Sequence, residues 1–222
     1  MSIALASSIG MTPLSATTLA DQIADRIIDA IAARRIEPGQ RLTEAELAGQ
    51  LQVSRVPVRE ALQVLWSQGI LVPAARRGLQ VAPLDGAWAR QLCQVRLSLE
   101  RLCASLVVEK YRQNPACLAR VDLAIAALEH SAQAGDRGGI NRADIAFHAA
   151  LYEIADSPLL TALWSGIARH VLILFSIETS ERAEFSYVVD EHQRYRAALV
   201  DGDPAGLEAE IEEHLTPFRL LA

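Results

Sequence analysis

The stretch Val53-Ser54-Arg55-Val56-Pro57-Val58-Arg59-Glu60-Ala61-Leu62 decides how this chain is read. Ser54 is a residue type whose side-chain oxygen can take one of the N–H groups that a helix start leaves unpaired. Pro57 then falls in the first turn, where a missing N–H costs little. Val58, Leu62, Leu65 and Trp66 recur at helical spacing until Gly69 stops the run. The spacing predicts a helix from Ser54 to about Gln68 that opens with two arginines, Arg55 and Arg59. Working backwards, Gln52-Val53 is a tight connection, and Thr43 with Glu46 three residues on forms a capping box for a short helix ending near Leu51. Before that, Leu19, Ile23, Ile27, Ile28 and Ile31 form the apolar stripe of a helix over 19–33, which Pro38-Gly39 terminates. Working forwards, Ile70–Val72 and Leu79–Val81 flank Arg76-Arg77-Gly78 and predict a small β-hairpin. The order is helix, helix, turn, helix, hairpin.

A helix–turn–helix sets a short positioning helix before a second helix whose N-terminal residues reach the major groove. The candidate contacts on that second helix are Ser54, Arg55, Pro57, Val58 and Arg59; Arg76, Arg77 and Gly78 stand at the hairpin tip. Arginine bonds guanine bidentately or clamps a phosphate, and glycine lets backbone approach a sugar-phosphate edge. The competing reading is a small helical domain with surface arginines. Charge supports the first. The net charge is −6, but residues 1–85 carry eight Arg against eight Asp/Glu, whereas 86–222 carry thirteen Lys/Arg against nineteen Asp/Glu. Within 54–78 four arginines face only Glu60, a local +3. Such a patch on an acidic chain suggests a small nucleic-acid module joined to something else, unless it is simply a solvated face.

From Asp85 onward nothing reads as a strand. Amphipathic stretches near 85–112, 115–134, 138–155, 158–180, 186–201 and 203–220 are parted by short breakers such as Asn114-Pro115, Gly135-Asp136 and Ser157-Pro158. Short connections imply antiparallel neighbours, so this half is expected to be an all-α bundle. The expected division is a loose tail over 1–17, with Met11 as an alternative start, a DNA-binding unit over 18–83, and a bundle over 86–222. Apolar residues at 51% and charged residues at 22% exclude a disordered chain. Apolar runs such as Val171–Phe175 fall far short of the roughly 18 residues of a membrane span. No basic segment precedes the first apolar residues, as a secretory signal would require. Cys93, Cys103 and Cys117 are scattered, giving neither a disulfide framework nor a zinc knuckle. The cytoplasm, with no membrane contact, is the expected compartment.

The 53–62 stretch, followed by Leu65, Gly69, Arg77-Gly78 and Val81, resembles the winged helix–turn–helix of GntR-family bacterial transcription regulators. Val56 departs from the threonine common there, so a hydroxyl contact is missing. The resemblance implies Arg55 and Arg59 as recognition residues, with Gly78 at the wing tip.

In the bundle the informative residues are polar ones on apolar stripes. Asp144 and His148, four apart, share a face with Phe147 and Leu151; His192 lies on the stripe of Val188, Tyr195 and Leu199; His214 lies on that of Leu207, Ile211 and Phe218. One carboxylate and three imidazoles suit a borderline divalent ion: zinc as first choice, nickel or manganese after it. A satisfied core histidine is the alternative for each ring taken singly. Asp144-x-x-Phe147-His148, then Glu191-His192, then His214 resembles the FCD-type C-terminal domain of the FadR subfamily. That resemblance implies one divalent metal held by Asp144, His148, His192 and His214, with a small carboxylate effector beside it. His170, on the stripe of Leu163, Ile167 and Leu174, is expected to touch the effector, with a core or supporting role as alternatives. Arg96, on the stripe of Leu92, Leu99 and Cys103, needs an anionic partner if buried, either Glu100 or the effector carboxylate.

The resemblance extends over about 18–218. The reading is a ligand-responsive regulator, mainly α, binding a palindromic double-stranded operator as a homodimer, because one such module covers only a half-site. The alternatives are a metal-responsive regulator without an organic effector and a metal-dependent enzyme fused to a DNA-binding module. No HExxH pair, G-x-S-x-G elbow or phosphate loop supports the enzyme.

Overall fold

The computed structural model describes residues 18–180 and 182–215. The expected tail at 1–17, Phe218, and the continuation of the last helix toward 220 lie outside the described residues.

The N-terminal half begins with α1 (Leu19–Ala32). Thr18 caps it: its hydroxyl accepts the Asp21 N–H at 3.1 Å, while its own N–H donates to the Asp21 carboxylate at 3.2 Å. A cap of this kind contributes about 0.5–2 kcal/mol. Ile23, Ile27, Ile28 and Ile31 are buried as the stripe predicts; Leu19, at its head, is half exposed. Then come β1 (Arg41–Leu42), α2 (Glu44–Leu51), α3 (Arg55–Ser67), β2 (Leu71–Pro73) and β3 (Leu79–Val81). On α2 only half of the capping box forms as expected. Thr43 accepts the Glu46 N–H at 3.3 Å, but the Glu46 carboxylate takes the Thr43 hydroxyl rather than a backbone N–H. Gln52, left-handed at φ 55°, makes the turn between α2 and α3. The strands form an antiparallel sheet of order β1-β3-β2, with Leu71 opposite Val81 and Pro73 opposite Leu79. The hairpin starts one residue later than Ile70. The strand β1 was not legible, since two residues cannot show alternation.

The C-terminal half is all helical: α4 (Gly86–Gln113), a 3-10 turn at Pro115–Leu118, α5 (Ala119–Ala134), α6 (Arg137–Ile154), α7 (Pro158–Ser180), α8 (Ser186–Asp201) and α9 (Pro204–His214). Asp85 caps α4 and Asp203 caps α9 through their carboxylates. Gly135 and Gly202 close α5 and α8 in the left-handed conformation that favours glycine. The fold is thus a winged helix–turn–helix followed by an all-α bundle.

Two clusters of buried apolar side chains hold the halves together, and α7 enters both. Trp164, Val171, Leu174 and Phe175 pack in the bundle core, while Ile173 completes the core built on α1 and α3. By length and composition α7 could cross a membrane, with a mean hydropathy of 1.6 over its apolar window. Here part of that apolar surface packs on α1, α4 and α6, while Leu159 remains exposed. Leu163, expected to point inward with His170, is instead 45% exposed.

Candidate DNA-binding face and metal centre

The α3 helix displays Ser54, Arg55, Val56 and Arg59 to solvent, with Pro57 half-buried. Val58 does not join them. It is fully buried with Ala61 and Leu65, because 58, 61, 62 and 65 form the inward stripe while 55, 56 and 59 face out. Val58 is therefore a core residue and not a DNA contact. Trp66, expected inside, is 53% exposed. Ser54 has the extended backbone of an N-cap, but its hydroxyl makes no capping bond.

Arg59 is already engaged. Its Nε and Nη2 donate to the two carboxylate oxygens of Glu44, each at 2.8 Å, so the first residue of α2 fixes a guanidinium of α3. The pairing raises Arg59 and lowers Glu44, chiefly through these bonds. Arg76, Arg77 and Gly78 are exposed at the tip of the wing. Gly78 has φ +101°, and a Cβ there would stand 3.3 Å from the Nε of Arg41. Arg41 was missed in the sequence because its strand was missed. It shares with Arg55, Arg59, Trp66 and Arg77 a cleft of about 800 Å³ between α3 and the wing.

In the bundle, Asp144 and His148 on α6, His192 on α8 and His214 on α9 converge. All four are buried, and one ligand atom from each lies within 4.8 Å of the others. Phe147 sits fully buried among the rings, with centroids 4.6 Å from His192 and 5.1 Å from His148.

The hydrogen positions follow from the neighbours. The Val188 carbonyl can only accept, so the Nδ1 of His192, at 2.7 Å, carries hydrogen and donates to it. On a neutral ring Nε2 is then a bare lone pair, and it lies 3.1 Å from Asp144 Oδ1, another acceptor. A guanidinium can only donate, so His148 Nε2 accepts from Arg96 Nη2 at 2.5 Å. The His148 Nδ1 hydrogen faces Glu100 Oε1 at 2.8 Å, close but out of line, so neither atom completes an aligned hydrogen bond. His148 Nε2 also lies 3.2 Å from His214 Nε2. Asp144 Oδ2, His192 Nε2 and His214 Nδ1 are buried without a hydrogen bond. Buried acceptors turned on one another are costly unless a cation lies between them. The donor set therefore fits a divalent ion, and the second ring nitrogen of His192 is held by a backbone carbonyl as a ligating histidine requires.

Electrostatics agree. Burial pushes His148 below the ordinary imidazole value despite Glu100 and Asp144, and pushes His214 well below it, with His192 and His148 adding to the effect. Burial alone would raise Asp144 and Glu100, but the imidazoles and Arg96 outweigh it and both carboxyls are lowered. The shifts thus favour the neutral form of the rings and the ionised form of the acids, the forms that bind a cation. Beside the centre Glu191 is pushed up to about 7 by burial and by Glu178.

Arg96 is 3% exposed, and its Nε stands 3.5 Å from Glu100, which also accepts the Tyr195 hydroxyl at 3.0 Å. His170 is elsewhere. Its Nδ1 accepts the Trp88 indole N–H at 3.2 Å, so its Nε2 carries hydrogen and donates to the Gln68 carbonyl at 2.8 Å. Both ring nitrogens are occupied at the junction of the two halves, which leaves none for an effector. The fold thus separates His170 from the three histidines of the centre.

Among known proteins, the family "Bacterial regulatory proteins, gntR family" matches residues 19–81 and the "FCD domain" family matches 91–217. The HTH-type transcriptional regulator LutR of Bacillus subtilis (strain 168) is 31% identical over 206 residues, covering 82% of this chain and 90% of that protein. The gluconate operon transcriptional repressor of the same organism is 27% identical over 175 residues, covering 77% of this chain and 71% of that protein. In fold, the chain is similar to the E. coli McbR/YncC structure, with a TM-score of 0.72 at 23% identity over 90% of this chain and 94% of that one. The chain therefore belongs to the GntR family of bacterial regulatory proteins, a DNA-binding transcription regulator rather than an enzyme, with an FCD domain as its C-terminal half.

Proposed function

We propose that this regulator answers a small carboxylate effector through one divalent metal ion held by Asp144, His148, His192 and His214. The observation that carries the reading is the convergence of three histidines and one aspartate, all buried, with Asp144 Oδ2, His192 Nε2 and His214 Nδ1 left without a hydrogen-bond partner. When bound, the ion supplies positive charge and open coordination positions for an anionic ligand. Zinc fits the donor set first, nickel and manganese next. Ser54, Arg55 and Arg59 of α3, with Arg76, Arg77 and Gly78 of the wing, are the proposed operator contacts; Arg41 joins them from β1. The proposed division places the DNA-binding unit at 18–83 and the effector unit from 86 onward, in a cytoplasmic protein.

The working form is a homodimer on a palindromic operator. Support comes from Val95 and Leu102 on α4 and Leu159 and Leu163 on α7, large apolar side chains left exposed on two helices that pack together.

Native mass spectrometry of the purified chain reads mass, metal and retained organic acid together. The expected species is a dimer with one ion per subunit. The double variant His148→Ala/His192→Ala is expected to lose the ion and the effector response and to keep operator binding. A double variant that still responds to effector after chelation excludes a sensing role for the ion. Operator release on titrating metal alone would favour the metal-responsive reading instead.

A further inference from the structure

The Nε2 lone pair of His148 has two claimants. Nε2 is the ring nitrogen of His148 that faces the centre, 3.2 Å from His214 Nε2 and 3.8 Å from Asp144 Oδ1. It is also the acceptor for Arg96 Nη2 at 2.5 Å, an interaction buried on both sides. One lone pair cannot serve both. We propose that the Arg96 guanidinium is the resident cation of the metal-free centre, and that a metal ion must displace it from His148 Nε2 before it can bind.

Three further observations support this. Arg96 is four residues from Glu100 on α4, and its Nε stands 3.5 Å from that carboxylate without a hydrogen bond, so the guanidinium is paired in charge but free to swing. The contact between His148 Nδ1 and Glu100 Oε1, at 2.8 Å, is out of line. The ring is thus turned toward Arg96, and a reorientation that aims Nε2 at an ion can also align Nδ1–H with Glu100. Lastly, the centre is buried and anionic through Asp144 and Glu100, and a buried anionic cluster needs a cation in every state. Arg96 fills that need when no ion is present.

The inference rests on the proposed metal site and deepens it. In the metal-free chain the guanidinium is used internally. The incoming ion releases it beside the ion, so a carboxylate meets two cationic partners only after metal has bound. Glu100 is on this account a positioning residue. It faces His148 Nδ1 and offsets the charge of Arg96, and it touches no ligand itself.

The test is zinc binding by the full chain with no organic acid present, comparing wild type with Arg96→Met, a neutral side chain of similar length. Removing the competing donor should tighten zinc about tenfold, the scale of one hydrogen bond to a charged group. Equal or weaker zinc binding by a folded Arg96→Met overturns the inference while leaving the metal site standing. Zinc binding by Arg96→Met but not by wild type supports it. Binding by neither overturns the inference and the metal reading together. Should Arg96→Met not fold, side-chain NMR of the wild type decides. The Arg96 guanidinium hydrogens should be protected from exchange without metal and lose that protection with one equivalent of zinc. Protection unchanged by bound zinc overturns the inference.

Discussion

His170 donates its Nε2–H to the backbone carbonyl of Gln68 across 2.8 Å, joining the middle of α7 to the residue that ends the recognition helix. Its neighbour Arg169 reinforces the junction, with Nη1 on the Gln68 side-chain oxygen at 3.2 Å and Nε and Nη2 on Asp25 of α1. Because Trp88 on α4 fills the other nitrogen of the ring, three helices meet on one imidazole. His170→Ala leaves the Trp88 N–H and the Gln68 carbonyl without their partner, at a cost of about 1–3 kcal/mol. Calorimetry should show a lower melting temperature and a less cooperative unfolding of the two halves, while zinc binding is retained. A variant that melts like wild type would remove His170 from the junction.

The same ring sets a pH dependence. Burial lowers His170 against the opposing pull of the Gln68 carbonyl. The unfolded ring protonates near its ordinary value of about 6.5, so below that pH the unfolded state takes up more protons than the folded one. Stability present above about pH 6.5 is then lost as pH falls through the lower folded value. The groups facing the ring are Trp88 and Gln68, with the Arg169–Asp25 ion pair alongside. Melting curves between pH 7.5 and 5.5 should fall more steeply for wild type than for His170→Ala, and parallel curves would contradict this.

On the DNA face, Arg55→Ala should weaken operator binding by about 1–3 kcal/mol if its contact is to a base. Arg59 is expected to act as a pair with Glu44. Glu44→Ala should reproduce part of the loss seen in Arg59→Ala, and the double variant should lose less than the sum. Strict additivity in binding titrations would show that the ion pair does not orient Arg59 for DNA.

Val56 and Val58 separate surface from core. Val58→Ala should lower thermal stability and leave the operator affinity of the folded fraction unchanged. Val56→Ala, at a site 60% exposed, should do the reverse if α3 enters the groove as proposed. The converse pattern would mean that another face meets DNA.

Phe147 buttresses the centre. Truncating a fully buried phenylalanine typically costs about 3–5 kcal/mol, and here the cavity would open between His148 and His192. Phe147→Ala should therefore melt earlier and bind zinc more weakly, whereas Phe147→Leu should recover much of both. Zinc at a hundredfold excess over its dissociation constant should raise wild-type stability by about 2.7 kcal/mol, and a chelator should reverse the rise.

Much of this molecule was legible because its signals are local. Ile23 to Ile31 announce α1 by period, Thr43 and Pro57 mark two helix starts, and Asp144 with His148 share a face whatever the rest of the chain does. The convergence of His192 and His214 followed from each lying on an inward stripe of its own helix. What escaped depends on contacts between distant residues. β1 exists only because β3 pairs with it. The Glu44–Arg59 ion pair spans fifteen residues, and the destination of His170 depends on Gln68, about a hundred positions upstream. Val58 was legible as core from its stripe with Leu62 and Leu65, yet nearness to Arg55 and Arg59 set it among the contacts. Helical period, and not neighbourhood along the chain, decides which way such a residue points.

Ile173 closes a core whose other buried members lie between Ala20 and Val81. Synthesis proceeds from the N-terminus, so the DNA-binding half leaves the ribosome with that place still empty and waits for roughly ninety further residues before α7 can fill it. Until then the part of α1 that packs on α7 has no cover. The regulator therefore acquires a fully packed DNA-binding half only when most of its FCD domain has also been made, and a chain truncated before α7 is expected to bind an operator poorly.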